Sequence, residues 1–201
     1  MGDLGAFLEL GFRHIVSVDA ADHILFLLVL SVIYRLRDWR ALFWVVTAFT
    51  VGHSITLAVA VLGWVVLPSD WIEFLIPVTI VATGVGNLVH RDRDADGSVA
   101  RHRPVVALLF GLVHGAGFAG YLRTLLVDDV AWPLLGFNVG VELGQVLMLA
   151  LIALLFGAVE QGIARARRLA GPDGAVFRAR VVSVSAAVAC VASVWAWQRI
   201  P

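Results

Sequence analysis

Thr47-Ala-Phe-Thr-Val-Gly-His-Ser-Ile-Thr-Leu57 lies inside an apolar run from Ala41 to Leu67. As a helix, that run is long enough to cross about 30 Å of hydrocarbon, which places His53 near the middle of a membrane. At about 100° per residue, with Thr50 at zero, Ser54 falls near 40°, Thr47 near 60° and His53 near −60°. Four polar groups therefore share one face. Lipid cannot satisfy their hydrogen bonds, so the face must look at protein, water or an ion. The fold is decided by what else in the chain has the same character.

The answer is most of it. Of 201 residues, 60% are hydrophobic and 15% charged, which is outside the range of a soluble globular domain and indicates a polytopic membrane protein. The net charge is zero, so composition gives no sign of a nucleic-acid partner. All basic residues are arginine, and Cys190 stands alone, which excludes an intrachain disulfide or a thiolate-rich metal motif. Any metal site must use nitrogen and oxygen. The start carries no basic leader followed by an apolar core, so no cleavable signal peptide is expected.

Apolar runs predict an all-α, single-domain bundle over residues 1–201 with six spans, near 19–34, 41–67, 71–90, 104–126, 133–158 and 181–197. Ahead of them, residues 3–17 are too polar and too short to span and read as an interfacial helix. Residues 165–180 read as a basic loop. Arginines gather after spans one, three and five (Arg35, Arg37, Arg40; Arg91, Arg93, Arg101, Arg103; Arg165, Arg167, Arg168, Arg178, Arg180), whereas the alternate loops carry Asp70, Asp128 and Asp129. By the positive-inside rule both termini face away from the cytoplasm, in the inner (plasma) membrane.

Polar residues inside these runs are expensive to insert and are the candidate functional groups. Span one opens with Asp19, Asp22 and His23 on one face, for which helix-start carboxylates beside a snorkelling histidine are the plainer reading. Span two brings His53 and Ser54, and span four brings His114 between Gly111 and Gly117. Span five has two faces. Gly136, Gly140 and Gly144 form a smooth stripe for close packing, and almost opposite them stand Asn138, Glu142 and Gln145. The expected metal set is Asp22, His23, His53, His114 and Glu142, between mid-depth and the outer surface, with His14, Asp19, Asn138, Gln145 and Ser54 as further candidates. Imidazole and carboxylate without thiolate suit nickel, cobalt, zinc or copper(II). A hydrogen-bond network that only holds helices together is the plain alternative. His90 and His102 flank the loop holding Asp92, Asp94 and Asp96 and read as solvated.

On these residues the chain resembles the HupE/UreJ family of small membrane proteins. The stretches that carry the resemblance are Gly11-Phe-Arg-His14-Ile15, Asp22-His23-Ile-Leu-Phe26, Phe49-Thr-Val-Gly-His53-Ser-Ile-Thr-Leu57, Gly111-Leu-Val-His114-Gly-Ala-Gly-Phe-Ala119 and Phe137-Asn-Val-Gly-Val-Glu142-Leu-Gly-Gln145. The resemblance implies a permease or facilitator for nickel and other divalent metals, in hydrogenase- and urease-related settings. It implies metal-related roles for His14, Asp22, His23, His53, His114 and Glu142. One departure stands out: Val16 to Ala21 lacks the glycine that the family carries before its Asp-His pair and is about two residues longer, which argues against His14 as a ligand.

The expected activity is inward movement of a divalent cation, nickel first, with the ion as substrate, the bilayer as surroundings and a homo-oligomer compatible with the sequence. No nucleotide-binding motif points to primary active transport. The rival readings are an intramembrane zinc hydrolase, with three histidines and two carboxylates around a metal-bound water, and a metal-handling accessory protein. A serine nucleophile at Ser54 is disfavoured, since no Gly-x-Ser-x-Gly elbow is present.

Overall fold

Every regular element is helical in the computed structural model, which describes residues 4–65, 68–89, 98–126, 130–167 and 173–201. Among these described residues seven α-helices follow in order: α1 (Leu4–Val16), α2 (Ala21–Ser31), α3 (Trp39–Val61), α4 (Ser69–Val89), α5 (Ser98–Leu125), α6 (Ala131–Arg167) and α7 (Asp173–Gln198). Helices α3 to α7 contain the five stretches that are long and apolar enough to cross a membrane singly. Trp39 and Trp44 near the start of α3, Trp64 after its end, and Trp71 and Trp132 at the starts of α4 and α6 are all exposed, as interfacial anchors would be.

Apolar helices gain little from burying side chains against one another in lipid, so small residues and close backbone contact decide which pairs form. Along α1 and α6, side chains added at Gly136 and Gly144 would run into Leu4 and Ile15 at 2.7 and 2.9 Å, and one at Gly140 would collide with the Leu8 carbonyl. Gly11 of α1 meets the Phe137 carbonyl in the same way. The glycine stripe read from the sequence is therefore gripped by α1. A second parallel seam joins α3 to α5, where Gly52 lies on the Leu108 carbonyl, Gly111 on that of Phe49 and Gly115 on that of His53. The third pair, α4 with α7, is antiparallel and packs Gly84 against Ser185 and Ala189.

Helix α2 threads between these pairs and differs from expectation. Residues 19–34 were expected to span as one helix, but α2 has only 11 residues, about 16 Å at 1.5 Å per residue. It cannot cross alone. The missing length is α1, which meets α2 at a bend of 66°. The first turn of α1 lies beside the start of α6. The far end of α2 lies beside the end of α4, where Asn87 Nδ2 donates to the Val29 carbonyl at 2.7 Å, and beside the start of α7, where Arg180 donates to the carbonyls of Val32 and Tyr34 at 3.1 Å each. The pair thus runs from one end of the bundle to the other as a broken span. The N-terminal segment expected in the interface is its first half: His14 turns into the bundle against His23 and His53, while Glu9 and Arg13 stay exposed and pair with each other at 2.7 Å.

The basic stretch expected as a loop up to residue 180 also reads differently, since α7 begins at Asp173. Arg180 sits inside it with a side chain only 12% exposed, 2.9 Å from Glu160 of α6 and over the rings of Phe156 and Phe177. These partners let an arginine occupy a helix interior that its charge alone would disfavour.

Candidate metal centre

The break between α1 and α2 is where the polar residues gather. His14, in the last turn of α1, and His23, in the first turn of α2, have ring centroids 4.6 Å apart. His53 of α3 lies 5.9 Å from the first ring and 6.1 Å from the second, and His114 of α5 lies 5.2 Å from His23. Four helix segments therefore place four imidazoles in one cluster. The α3–α5 glycine seam sets two of them, since Gly115 rests on the carbonyl of His53 itself. One ligand atom each from His14, His23 and His53 falls within 4.8 Å of the others. Metal–nitrogen bonds are about 2.0–2.1 Å, so the three would have to draw closer by side-chain rotation to share one ion.

Five histidine ring nitrogens in this cluster are buried and have no hydrogen-bond partner: Nε2 of His14, Nε2 of His23, both nitrogens of His53 and Nδ1 of His114. Leaving a buried polar group unpaired costs about 1–3 kcal/mol. The walls around them are aromatic. Phe137 stacks on His53 and on Phe118, and Phe26 and Phe49 lie against His114. A cleft of about 510 Å³ leads to the cluster from the end where α4 begins and α7 finishes. His14, Asp22, His23 and His114 line it, with Arg13, Glu73, Tyr121 and Arg199 among its other walls. His53 lies behind them, fully buried.

The sequence profile described as HupE / UreJ protein matches residues 1–199, almost the whole chain. The chain belongs to the HupE/UreJ family. That family is associated with nickel or cobalt transport or with accessory functions. No curated protein and no solved structure matches the chain.

Among the residues through which the chain resembles the HupE/UreJ family, the structure separates two groups. His14, set apart in the sequence by the longer Val16–Ala21 stretch, is brought into the cluster. That stretch contains the short 3-10 turn Val18–Ala20 at the bend between α1 and α2, across which His14 lies against His23. Asp22 does not reach past its neighbour: its Oδ1 accepts from the His23 backbone N–H at 2.9 Å and lies 3.1 Å from His23 Nδ1. It orients His23 and leaves Nε2 for a ligand, as a carboxylate behind a metal-binding histidine commonly does.

Glu142, expected beside His53 and His114, is not part of the group of three ligand atoms that includes His53. Its Oε1 accepts from Thr47 Oγ1 at 2.9 Å, and Gln145 Oε1 accepts from Thr50 Oγ1 at 2.8 Å. Thr50 and Thr47 stand one and two turns before His53 along α3, so these pairs form a second polar layer farther from the cleft. Asn138 Oδ1 and Gln145 Nε2 are buried without partners. Ser54 is spent within its own helix, donating to the Thr50 carbonyl at 2.7 Å. Asp19 lies in the short turn, its side chain outside what is described, and His90 with Asp92, Asp94 and Asp96 lies outside the described residues. His102 is exposed on α5, away from the cluster. One partner that sequence reading passed over is Thr79 of α4, whose Oγ1 lies 3.0 Å from His114 Nε2. Threonine is common in membrane helices, so nothing in the sequence singles it out.

Proposed function

We propose that this protein is a membrane facilitator for a divalent transition-metal cation, nickel first and cobalt next, with the histidine cluster as its binding station. The observation that carries this reading is the set of five unpaired, buried imidazole nitrogens around the break of a broken span. Buried polar groups in folded proteins are nearly always paired, and those left over ask for an ion. Interrupted helices are a recurring way to build a cation site inside a bundle. Imidazole without thiolate suits nickel, cobalt, zinc or copper(II), and affinity alone does not choose among them.

In this reading the ion enters through the cleft, where Glu73 and Asp22 offset the charge of Arg13 and Arg199. His14, His23 and His114 exchange its water for nitrogen, and His53 receives it behind them. Glu142 and Gln145, with Thr47 and Thr50, form the next station, whose oxygen donors are harder and hold a nickel-like ion less tightly. That gradient favours onward movement. If the cleft faces outward, as the arginine distribution argues, an inside-negative potential drives a doubly charged ion inward with about 4.6 kcal/mol per 100 mV.

The size of the cleft supports a second reading. About 510 Å³ admits a molecule larger than a hydrated ion, as an intramembrane metal-dependent hydrolase would need. Metal uptake into proteoliposomes under an inside-negative potential separates the two. Saturable uptake of nickel or cobalt that disappears in His53→Ala is the expected outcome. Tight binding with no flux would overturn the facilitator and leave the hydrolase or an accessory role.

A further inference from the structure

We propose that Thr79 is a positioning residue for the centre: it fixes the tautomer of His114, so that Nδ1 is the nitrogen offered to a cation. The argument is one of proton counting. A hydroxyl has one hydrogen to give and lone pairs to accept with. Thr79 Oγ1 lies 2.7 Å from the Ile76 carbonyl oxygen, which can only accept, so the hydroxyl hydrogen is committed there. The same Oγ1 lies 3.0 Å from His114 Nε2. With its hydrogen already placed, the oxygen can only accept in that contact, and Nε2 must carry the ring proton. A neutral imidazole has one N–H, so Nδ1 keeps its lone pair. That is the His114 nitrogen found buried and unpaired.

The helix itself holds Thr79 in this pose: its hydroxyl back-bonds to the carbonyl three residues earlier, Ile76, a local contact that threonine readily makes inside a helix. One turn on, Thr83 Oγ1 donates to the Thr79 carbonyl at 2.8 Å. Helix α4 supplies no histidine to the cluster, yet through Thr79 it decides which face of His114 the cluster receives. His23 is handled the opposite way. Asp22 lies on Nδ1 and leaves Nε2 unpaired. Two neighbouring rings thus present different nitrogens, each selected by a partner behind it. Such partners commonly alter metal affinity by about 10–100-fold.

The consequence for affinity rests on the metal-binding reading above, whereas the tautomer does not, and the test keeps them apart. In detergent micelles, nitrogen NMR of histidine-labelled protein, with the His114 signals assigned by His114→Ala, is expected to show Nε2 protonated in the wild type and in Thr79→Ser. Thr79→Val is expected to show a mixture of both tautomers. Titration with cobalt(II) is expected to give about 10–100-fold weaker binding and an altered visible spectrum in Thr79→Val, both restored in Thr79→Ser. A wild-type His114 protonated on Nδ1, or a Thr79→Val protein with wild-type tautomer, affinity and spectrum, would overturn the proposal. Failure of the metal reading would show separately, as unchanged cobalt binding in His53→Ala, with the NMR result still deciding the tautomer.

Discussion

The two ends of the short helix α2 are built on opposite principles. At its start, His23 faces His14, His53 and His114 with nitrogens that have no partner. At its finish, the carbonyls of Val29, Val32 and Tyr34 are held by Asn87 from α4 and Arg180 from α7, and Arg180 is itself tied to Glu160 of α6. Both ends are polar and both sit inside a hydrophobic bundle. One end spends most of its polar groups on holding α2 to α4, α6 and α7, with only Arg180 Nε and Glu160 Oε1 left without a hydrogen bond inside their ion pair, and the other keeps them available. Burial of a polar residue in a membrane protein therefore says little until its partners are counted, because satisfied groups stabilise the fold and unsatisfied ones are the candidates for a ligand.

The largest expected effect tests the unpaired end. The variant His53→Ala is expected to lose nickel or cobalt affinity by at least about 100-fold while keeping its thermal unfolding midpoint within a few degrees, since neither ring nitrogen of His53 gives up a hydrogen bond. Isothermal titration and a melting curve in the same detergent decide it. A large drop in melting temperature with intact binding would make the cluster structural.

At the paired end the expectation is reversed. Arg180→Met removes the donor to the two carbonyls just past α2, those of Val32 and Tyr34, and leaves Glu160, 34% exposed, without its cation. A loss of about 1–3 kcal/mol is expected, seen as a lower unfolding midpoint, with metal affinity within a few-fold of wild type. Equal losses of affinity in both variants would mean that the two ends of α2 act as one unit.

The smallest effect on binding is expected between them. Glu142→Gln keeps an acceptor for Thr47 and leaves the histidines untouched, so equilibrium affinity is expected to change by less than about 3-fold while uptake into proteoliposomes falls. Binding lost along with transport would place Glu142 in the same station as His53 and undo the division into two layers.

Much of this was legible in the chain, and the limits follow from physics. His53, His114 and Glu142 could be recognised as costly residues because depth in a membrane follows from position within an apolar run. The Gly136, Gly140 and Gly144 stripe could be recognised because a face follows from the helical period. Which stripe meets which partner was not legible. Glu142 lies on a polar face as expected, but the rotation and tilt of α6 against α3 bring it to Thr47 and not to His53. The spacing of Val16 to Ala21 argues against His14, yet the bend within that stretch places His14 against His23.

By itself the sequence determined an all-helical membrane protein of the HupE/UreJ family, with imidazole and carboxylate at depth and no thiolate chemistry. Those properties depend on composition and local period, which every residue carries with it. Only the tertiary structure decided that the first two helices form one broken span, that His14 joins the cluster, that Asp22 stands behind His23 and that Thr79 stands behind His114. Those facts depend on how helices rotate and cross, and glycine seams and bends far apart in the chain set that geometry together.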